Sequence, residues 1–179
     1  MMSSRYVVSL IAATLVVSVA FQPTFADPLH KVGQEGAWQH EQSGWVFPKQ
    51  IGTFARIGAP YEIDGTYDVG ARYESVVDGV SARAAVHIYA ADSAAQDADF
   101  AAAKAATNGK LKDESPFQVA TRSKMAGTKV TYELDEQNRS RAALYFIESG
   151  TWIVNVRTTT DLPSSAALQS LDRFVNDLD

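Results

Sequence analysis

Two stretches of alternating apolar and polar residues predict a β-hairpin in the first half of the chain. Residues 67–73 and 80–88 alternate in this way, and between them lies Asp78-Gly79, a sequence typical of a two-residue hairpin turn. A tight turn there places Tyr73 opposite Ala84, with one face of the hairpin apolar and the other polar. The pattern therefore predicts a sheet with one buried face in this region.

Alternation continues in the second half and predicts four more strands, over residues 117–123, 128–134, 139–148 and 151–159. The last two are expected to form a hairpin around Ser149-Gly150, with Phe146 facing Ile153. Both faces of this hairpin are apolar near its turn, which is typical of a strand pair that is covered on both sides.

Two helices complete the predicted fold. A capping-box sequence at Ser93 begins an alanine-rich helix through about Thr107, and a stripe of large apolar residues predicts a final helix from about Pro163 to Leu178. Hairpins with two interspersed helices favour an α+β fold. We expect an antiparallel sheet of about six strands, with the two main helices packed on its faces.

The amino-terminal residues 1–26 have the pattern of a cleavable signal peptide. Arg5 precedes an uncharged apolar run, and Thr24-Phe25-Ala26 ends it with a small-x-small cleavage signal. An uncleaved membrane anchor is the alternative. We predict an exported protein, periplasmic or extracellular, with a flexible segment over 27–43, a single domain over 44–179 and no stable membrane insertion after cleavage.

The amino-acid composition excludes several kinds of functional site and partner. The chain has no cysteine, which excludes disulfides, thiol catalysis and cysteine-zinc sites, although exported domains often depend on disulfides. The net charge is −5, and the lysines and arginines form no block. Nucleic acid binding requires clustered positive charge, so we expect no nucleic acid partner. Neither a metal nor a cofactor motif is evident, and the sequence does not indicate an oligomeric state.

Histidine is scarce, and His87 is the one histidine predicted to lie on a strand. It falls on the polar face of its hairpin opposite Gly70, flanked by Arg83 and Tyr89. A general base at this place is conceivable, but a surface or helix-packed histidine is the more common situation. His30 and His40 fall in the segment predicted to be flexible, where their spacing matches no metal-ligand pattern.

Asn155 and Arg157 form a second candidate site, because both lie on one face of an otherwise apolar hairpin. An arginine among apolar neighbours needs a partner, which can be a carboxylate, a carbonyl or a ligand anion. A salt bridge to Asp172 or Asp177 of the last helix is the structural alternative to an anion site.

Aromatic residues cluster at the start of the predicted domain, in Trp45, Phe47, Phe54 and Tyr61. They can form either an exposed recognition patch or the core beneath an amino-terminal flap.

The opening Trp-x-Phe-Pro-x-x-Ile-Gly, residues 45–52, resembles a group of exported bacterial proteins. The element order, with the segment 150–157 before a final helix, is similar to the Mog1/PsbP-like fold. This resemblance implies an antiparallel sheet sandwiched by helices. The members of that family are mostly non-enzymatic, among them a binder of a small GTPase and an extrinsic subunit of photosystem II. None of their binding residues maps to a position here.

Our leading hypothesis is an exported, non-catalytic binding or accessory protein with a protein partner in the envelope or the secreted space. Enzymatic activity is left open. One alternative is an envelope hydrolase with a site near His87, Arg83 and Tyr89. The other is a binder of a small anionic ligand through Arg157 and Asn155.

Overall fold

A computed structural model describes residues 27–33, 35–63, 67–91, 96–119, 125–135, 140–161 and 164–178. The signal-peptide prediction therefore lies outside the described residues. The helices are α1 (Gln96–Ala105) and α2 (Ser165–Asn176). The strands are β1 (Leu29–Val32), β2 (Ala37–His40), β3 (Val46–Phe47), β4 (Gln50–Ile51), β5 (Phe54–Arg56), β6 (Tyr61–Glu62), β7 (Val69–Val77), β8 (Val80–Ala90), β9 (Lys110–Gln118), β10 (Ala126–Asp135), β11 (Ser140–Ser149) and β12 (Trp152–Thr160).

The predicted α+β fold, with about six strands and two main helices, is wrong, because the protein is mostly β. Within the described residues, the strands form two antiparallel sheets, and two small helices accompany them. A three-stranded sheet has the order β1-β2-β3. A nine-stranded sheet has the order β4-β5-β7-β8-β12-β11-β10-β9, with β6 paired to β7.

The extra strands escaped prediction because their sequences carry little apolar alternation. Only residues 117 and 118 of strand β9 fall within the strand predicted over residues 117–123, of which 120–123 lie outside the described residues. Strand β9 is exposed at most positions, and its first half, Lys110–Glu114, is entirely so. It is a strand because its backbone pairs with β10, a nonlocal interaction that periodicity does not report. Strands β4 and β6 have only two residues each.

Residues 27–43, predicted to be flexible, contain β1 and β2. These strands pair as a hairpin, and β2 continues onto β3. Leu29 of β1 belongs to the main hydrophobic core, and His40 of β2 is fully buried. The folded unit therefore includes residues well before Gly44.

The face of the large sheet that carries Ala71, Val86 and Val156 forms the main core, and we call it the α2 face. Helix α2 packs on it through Phe174, whose ring lies 5.1 Å from that of Tyr73. Ser164 caps the helix by accepting a hydrogen bond from the Ala167 amide. The small sheet covers another part of this face, where the His40 ring packs edge-on against Trp152 with 4.9 Å between the ring centres. Leu29 and Phe47 of the small sheet belong to the same hydrophobic core.

The opposite face, which we call the α1 face, has a smaller apolar cluster. Phe100 of α1 packs on Phe146 at 4.9 Å, over a floor that includes Val130 and Leu144. Helix α1 thus covers the β10–β11 region. On β7 and β8 the same face carries polar and charged side chains.

Of the two predicted hairpin registers, the first is confirmed and the second is wrong. Tyr73 pairs with Ala84, as predicted, and Asp78 and Gly79 adopt positive φ angles of 53° and 77° in the turn. The second register is wrong by two residues, because Phe146 pairs with Asn155 rather than Ile153. The turn lies at Gly150-Thr151, one residue later than predicted. A shift of two leaves every side chain on its predicted face.

Arg56 joins the two sheets through backbone carbonyls. Its Nη1 donates to the Phe47 carbonyl, Nη2 to the Gly36 carbonyl at 2.8 Å, and Nε to the Gly58 carbonyl at 3.1 Å. A planar guanidinium can donate in these three directions at once, which a lysine ammonium on a flexible stem matches poorly.

We expect Arg56→Lys to lower the free energy of unfolding by about 2 kcal/mol, since at least one part-buried carbonyl loses its donor. Urea unfolding followed by circular dichroism measures the change. Arg173→Lys, at an exposed position of α2, is the matched control and should change stability by less than about 0.5 kcal/mol. Equal effects of the two substitutions would show that Arg56 does not link the sheets.

His40 makes folding sensitive to pH. Its Nδ1 lies 2.8 Å from the Ser43 hydroxyl, and burial lowers the pKa of the ring below its usual value of 6.5, against smaller opposing effects of the Tyr67 backbone and Asp68. The pKa of His87 is lowered as well. The folded state therefore disfavours protonation of both rings, whereas the unfolded chain protonates them freely.

The free energy of unfolding should therefore be highest above pH 6.5 and fall as the pH decreases from 6.5 towards the folded-state pKa values. Urea unfolding between pH 8 and pH 5 tests this. His40→Asn, which keeps a group able to bond Ser43, should flatten the profile. His30→Asn, at an exposed position of β1, is the control and should leave the slope unchanged. Identical slopes in both variants would contradict the assignment.

Candidate binding surface

A row of paired residues with three polar side chains crosses four strands of the α1 face. Gly70 of β7 pairs with His87 of β8, as predicted, and His87 pairs with Asn155 of β12. On the other side Tyr61 of β6 pairs with Gly70, and its hydroxyl lies 3.2 Å from His87 Nε2. The pairing of β8 with β12 therefore brings together His87 and Asn155, which belonged to separate hypotheses in the sequence analysis.

Gly70 leaves the space in which the Tyr61 ring lies. A Cβ atom at this position would stand 2.8 Å from Tyr61 Cζ and 3.0 Å from His87 Cδ2, closer than real Cβ contacts. The absence of a side chain thus lets the ring cross the strand and reach the histidine. Aromatic residues commonly cover a strand glycine from a neighbouring strand in this way.

Burial and nearby positive charges lower the pKa of His87 and favour its neutral form. Burial is the main cause of its lowered pKa, and the positive charges of Arg157 and Arg72 lower it further, while Asp68 acts in the opposite direction. A neutral imidazole next to two guanidinium groups adds a polar surface without adding charge.

A second row, next to the first, contains two of the arginines. Ala85 of β8 pairs with Arg72 of β7 on one side and with Arg157 of β12 on the other. Because Ala85 is small, a shallow pocket of about 180 Å³ opens above it. Its lining includes Ile57, Arg72, Arg83, Ala85 and Arg157, and we call these five residues the arginine surface.

Arg157 donates hydrogen bonds to the carboxyl-terminal end of α1 rather than to either carboxylate predicted on α2. Its Nη2 donates to the Thr107 hydroxyl at 2.8 Å, just after the end of α1, with the Ala103 carbonyl at 3.5 Å. The salt bridge to Asp172 or Asp177 is not formed, because those residues belong to the helix on the opposite face of the sheet. Among the side chains that the structure describes, Arg157 makes no ion pair.

Arg83 and Tyr89 share a strand face with His87, but the three do not converge. Arg83 lies four residues from His87, a distance of about 13 Å along a strand. It forms an exposed ion pair of 3.2 Å with Glu74, the cross-strand partner predicted from the sequence. The pocket on this face is lined by arginines and does not include His87. His87, Arg83 and Tyr89 therefore do not line a common pocket above Ala85.

Sequence reasoning missed Arg72, Ile57 and the role of Tyr61. Arg72 and Ile57 are exposed, and the Arg72 guanidinium lies 5.4 Å from the centre of the Tyr61 ring. Tyr61 was grouped with Phe47 and Phe54, which are core residues with at most 1% exposure. The alternation around β7 placed Arg72 on the polar face, but its relation to Arg157 depends on the pairing of β8 with β12.

No protein-family profile matches the chain, and no curated protein sequence matches it at a significant level. The resemblance to the Mog1/PsbP-like family therefore stays a prediction. In the described ranges, no helix combines the length and apolarity needed to cross a membrane. Across those same residues, histidine and carboxylate side chains form no cluster of three that could hold a metal ion.

Gly70→Ala should lower the free energy of unfolding by about 1–3 kcal/mol, because the new methyl group displaces the Tyr61 ring from His87. Urea unfolding measures this, and Tyr61→Ala and the double variant complete a thermodynamic cycle. The double variant should be less destabilised than the sum of the single ones, because the clash disappears with the ring. Strict additivity would show that the methyl group and the ring do not interact.

Proposed function

We propose that this protein is an exported, non-catalytic binding protein that docks an acidic protein partner on the arginine surface. The observation that carries the proposal is the pocket above Ala85, where three guanidinium groups lie around an open part of the sheet. The predicted signal peptide supports a partner in the envelope or the secreted space.

Charge favours an acidic partner. The whole chain carries a net charge of −5, so a local group of arginines stands out against a negative background. Such a contrast orients an acidic protein during encounter and repels it from the rest of the surface. Of the three arginines, only Arg83 pairs with a carboxylate in the described residues, and that pair is exposed. A partner carboxylate can replace it at little cost.

Apolar surface accompanies the charge. Ile57 is 51% exposed at the edge of the pocket, and Val76, on the same face of β7, is 69% exposed. Protein interfaces are enriched in arginine and combine such charged groups with apolar contacts. A small anion would use the arginines alone, whereas a protein partner would also cover Ile57 and Val76.

A photo-crosslinking amino acid in place of Ile57 tests the proposal in the native host. We expect one dominant crosslinked protein, identified by mass spectrometry. The control places the same amino acid at Leu111, which is 54% exposed on β9 at the far edge of the sheet, and should not give that product. The same product from both positions would contradict docking at the arginine surface.

Charge reversal separates specific docking from nonspecific capture. Arg72→Glu should weaken binding of the identified partner by about tenfold, and added salt should weaken binding to the wild type. Arg173→Glu on α2 is the control and should have little effect. Binding that is insensitive to Arg72→Glu, or hydrolytic turnover that disappears with His87→Ala, would overturn the proposal.

A further inference from the structure

A cavity on the α2 face, away from the arginine surface, has no part in the proposed docking. Helix α2 contacts β7, β8 and β12, and beside it lies a cavity of about 280 Å³ over the β10–β11 region. One wall is α2, through Leu168, Leu171 and Asp172, and the floor includes Thr131 and Ala143. The cavity exists because a single helix is too narrow to cover a sheet this wide.

The wall on the helix side is apolar and accessible. Leu168 is 42% exposed although it lies on the helix that packs on the core, while Leu171, one turn further, is only 3% exposed. Together with the small side chains of the floor, these leucines leave room for a short apolar group. The volume lies just below the range usual for sites that bind drug-sized molecules, so the ligand must be smaller.

Positive charge lies around the polar side of the cavity. Its lining includes Lys112, Lys129 and Arg141, against a single lining carboxylate, Asp172. Glu133 lies 2.5 Å from Lys112 Nζ and 2.6 Å from Arg141 Nη1. Three cations and these two carboxylates leave the group with one net positive charge.

The ion pairs do not use all of the donors. Arg141 Nη1 lies 2.6 Å from Glu133 Oε1 in an ion pair, and a guanidinium has five N–H donors, more than this single contact uses. Lys129 Nζ lies 2.5 Å from Asp172 Oδ1 and carries three N–H groups. Asp172 also accepts a hydrogen bond from the Tyr145 hydroxyl, which holds its carboxylate against the sheet.

We infer that this cavity binds a small organic acid, with its carboxylate at Lys129 and Arg141 and a short apolar body against Leu168 and Leu171. The net charge of the cavity selects an anion, and the leucine wall selects an anion with an apolar part. This inference is independent of the proposed docking, because the two surfaces lie on opposite faces of the sheet.

Titration with benzoate and hexanoate, followed by ¹H–¹⁵N NMR of the folded protein, tests the inference. For ligands of this size we expect a Kd of about 1 mM or lower, with shifts concentrated at Thr131, Ala143 and Leu168. Hexanamide, which keeps the apolar body without the charge, should bind at least about tenfold more weakly. Inorganic phosphate, which keeps only the charge, should cause no comparable shifts at Leu168.

Two variants with matched controls localise the site. Leu168→Ala shortens the apolar wall, and Leu111→Ala removes an equally large exposed side chain elsewhere. Lys129→Gln removes a cation of the cavity, and Lys110→Gln removes an exposed one on β9. We expect the first member of each pair to weaken hexanoate binding at least about fivefold and the second to leave it within about twofold. Leu168 is partly exposed, so its variant should fold even if Lys129→Gln does not.

Three results would overturn the inference. The first is the absence of shifts at the cavity residues up to about ten times the expected Kd. The second is equal binding of hexanoate and hexanamide, which would remove the role of charge. The third is shifts that follow the arginine surface and disappear with Arg72→Gln, which would place the anion on the α1 face.

Discussion

The register of the three strands β7, β8 and β12 is the constraint on which the rest of the structure depends. It directs Ala71, Val86 and Val156 towards the main core and Arg72, Ala85 and Arg157 towards the opposite face. A slip of one residue would exchange the two sets and bury the arginines. The same hydrogen-bonded ladder therefore forms the core and assembles the arginine surface, and substitutions that disturb one must affect the other.

The two faces of the large sheet differ in apolar area, and different elements cover them. Two elements cover the α2 face side by side, because helix α2 and the small sheet each cover only part of it. Arg56 holds the small sheet in place by donating hydrogen bonds to backbone carbonyls. Over β10 and β11, where neither helix α2 nor the small sheet covers the large sheet fully, the cavity beside Leu168 remains. On the α1 face, helix α1 covers Leu144 and Phe146 but leaves β7 and β8 accessible. Both proposed binding regions thus lie where a wide sheet extends beyond its cover.

The two proposals use positive charge in different ways. Around Ala85 the guanidinium groups lie on an open surface with little depth, which suits the side chains of a protein partner. Beside α2 the cations surround a cavity with an apolar wall, and they are partly neutralised by Glu133 and Asp172. A small acid gains there from burial of its apolar part, whereas an acidic protein cannot enter.

From the sequence alone, local patterns determined the strands around Asp78-Gly79 with their register, the last helix, the cysteine-free composition and the face of each candidate residue. Those features depend on neighbours along the chain, through turn chemistry and periodicity. The second hairpin was misplaced by two residues because Ser149-Gly150-Thr151 allows more than one turn, although the faces were right. Only the tertiary structure decided the mostly β fold, the pairing of β12 with β8 that joins Asn155 to His87, and the cavity beside α2. These arise from hydrogen bonds and packing between segments far apart in sequence, which no local pattern encodes.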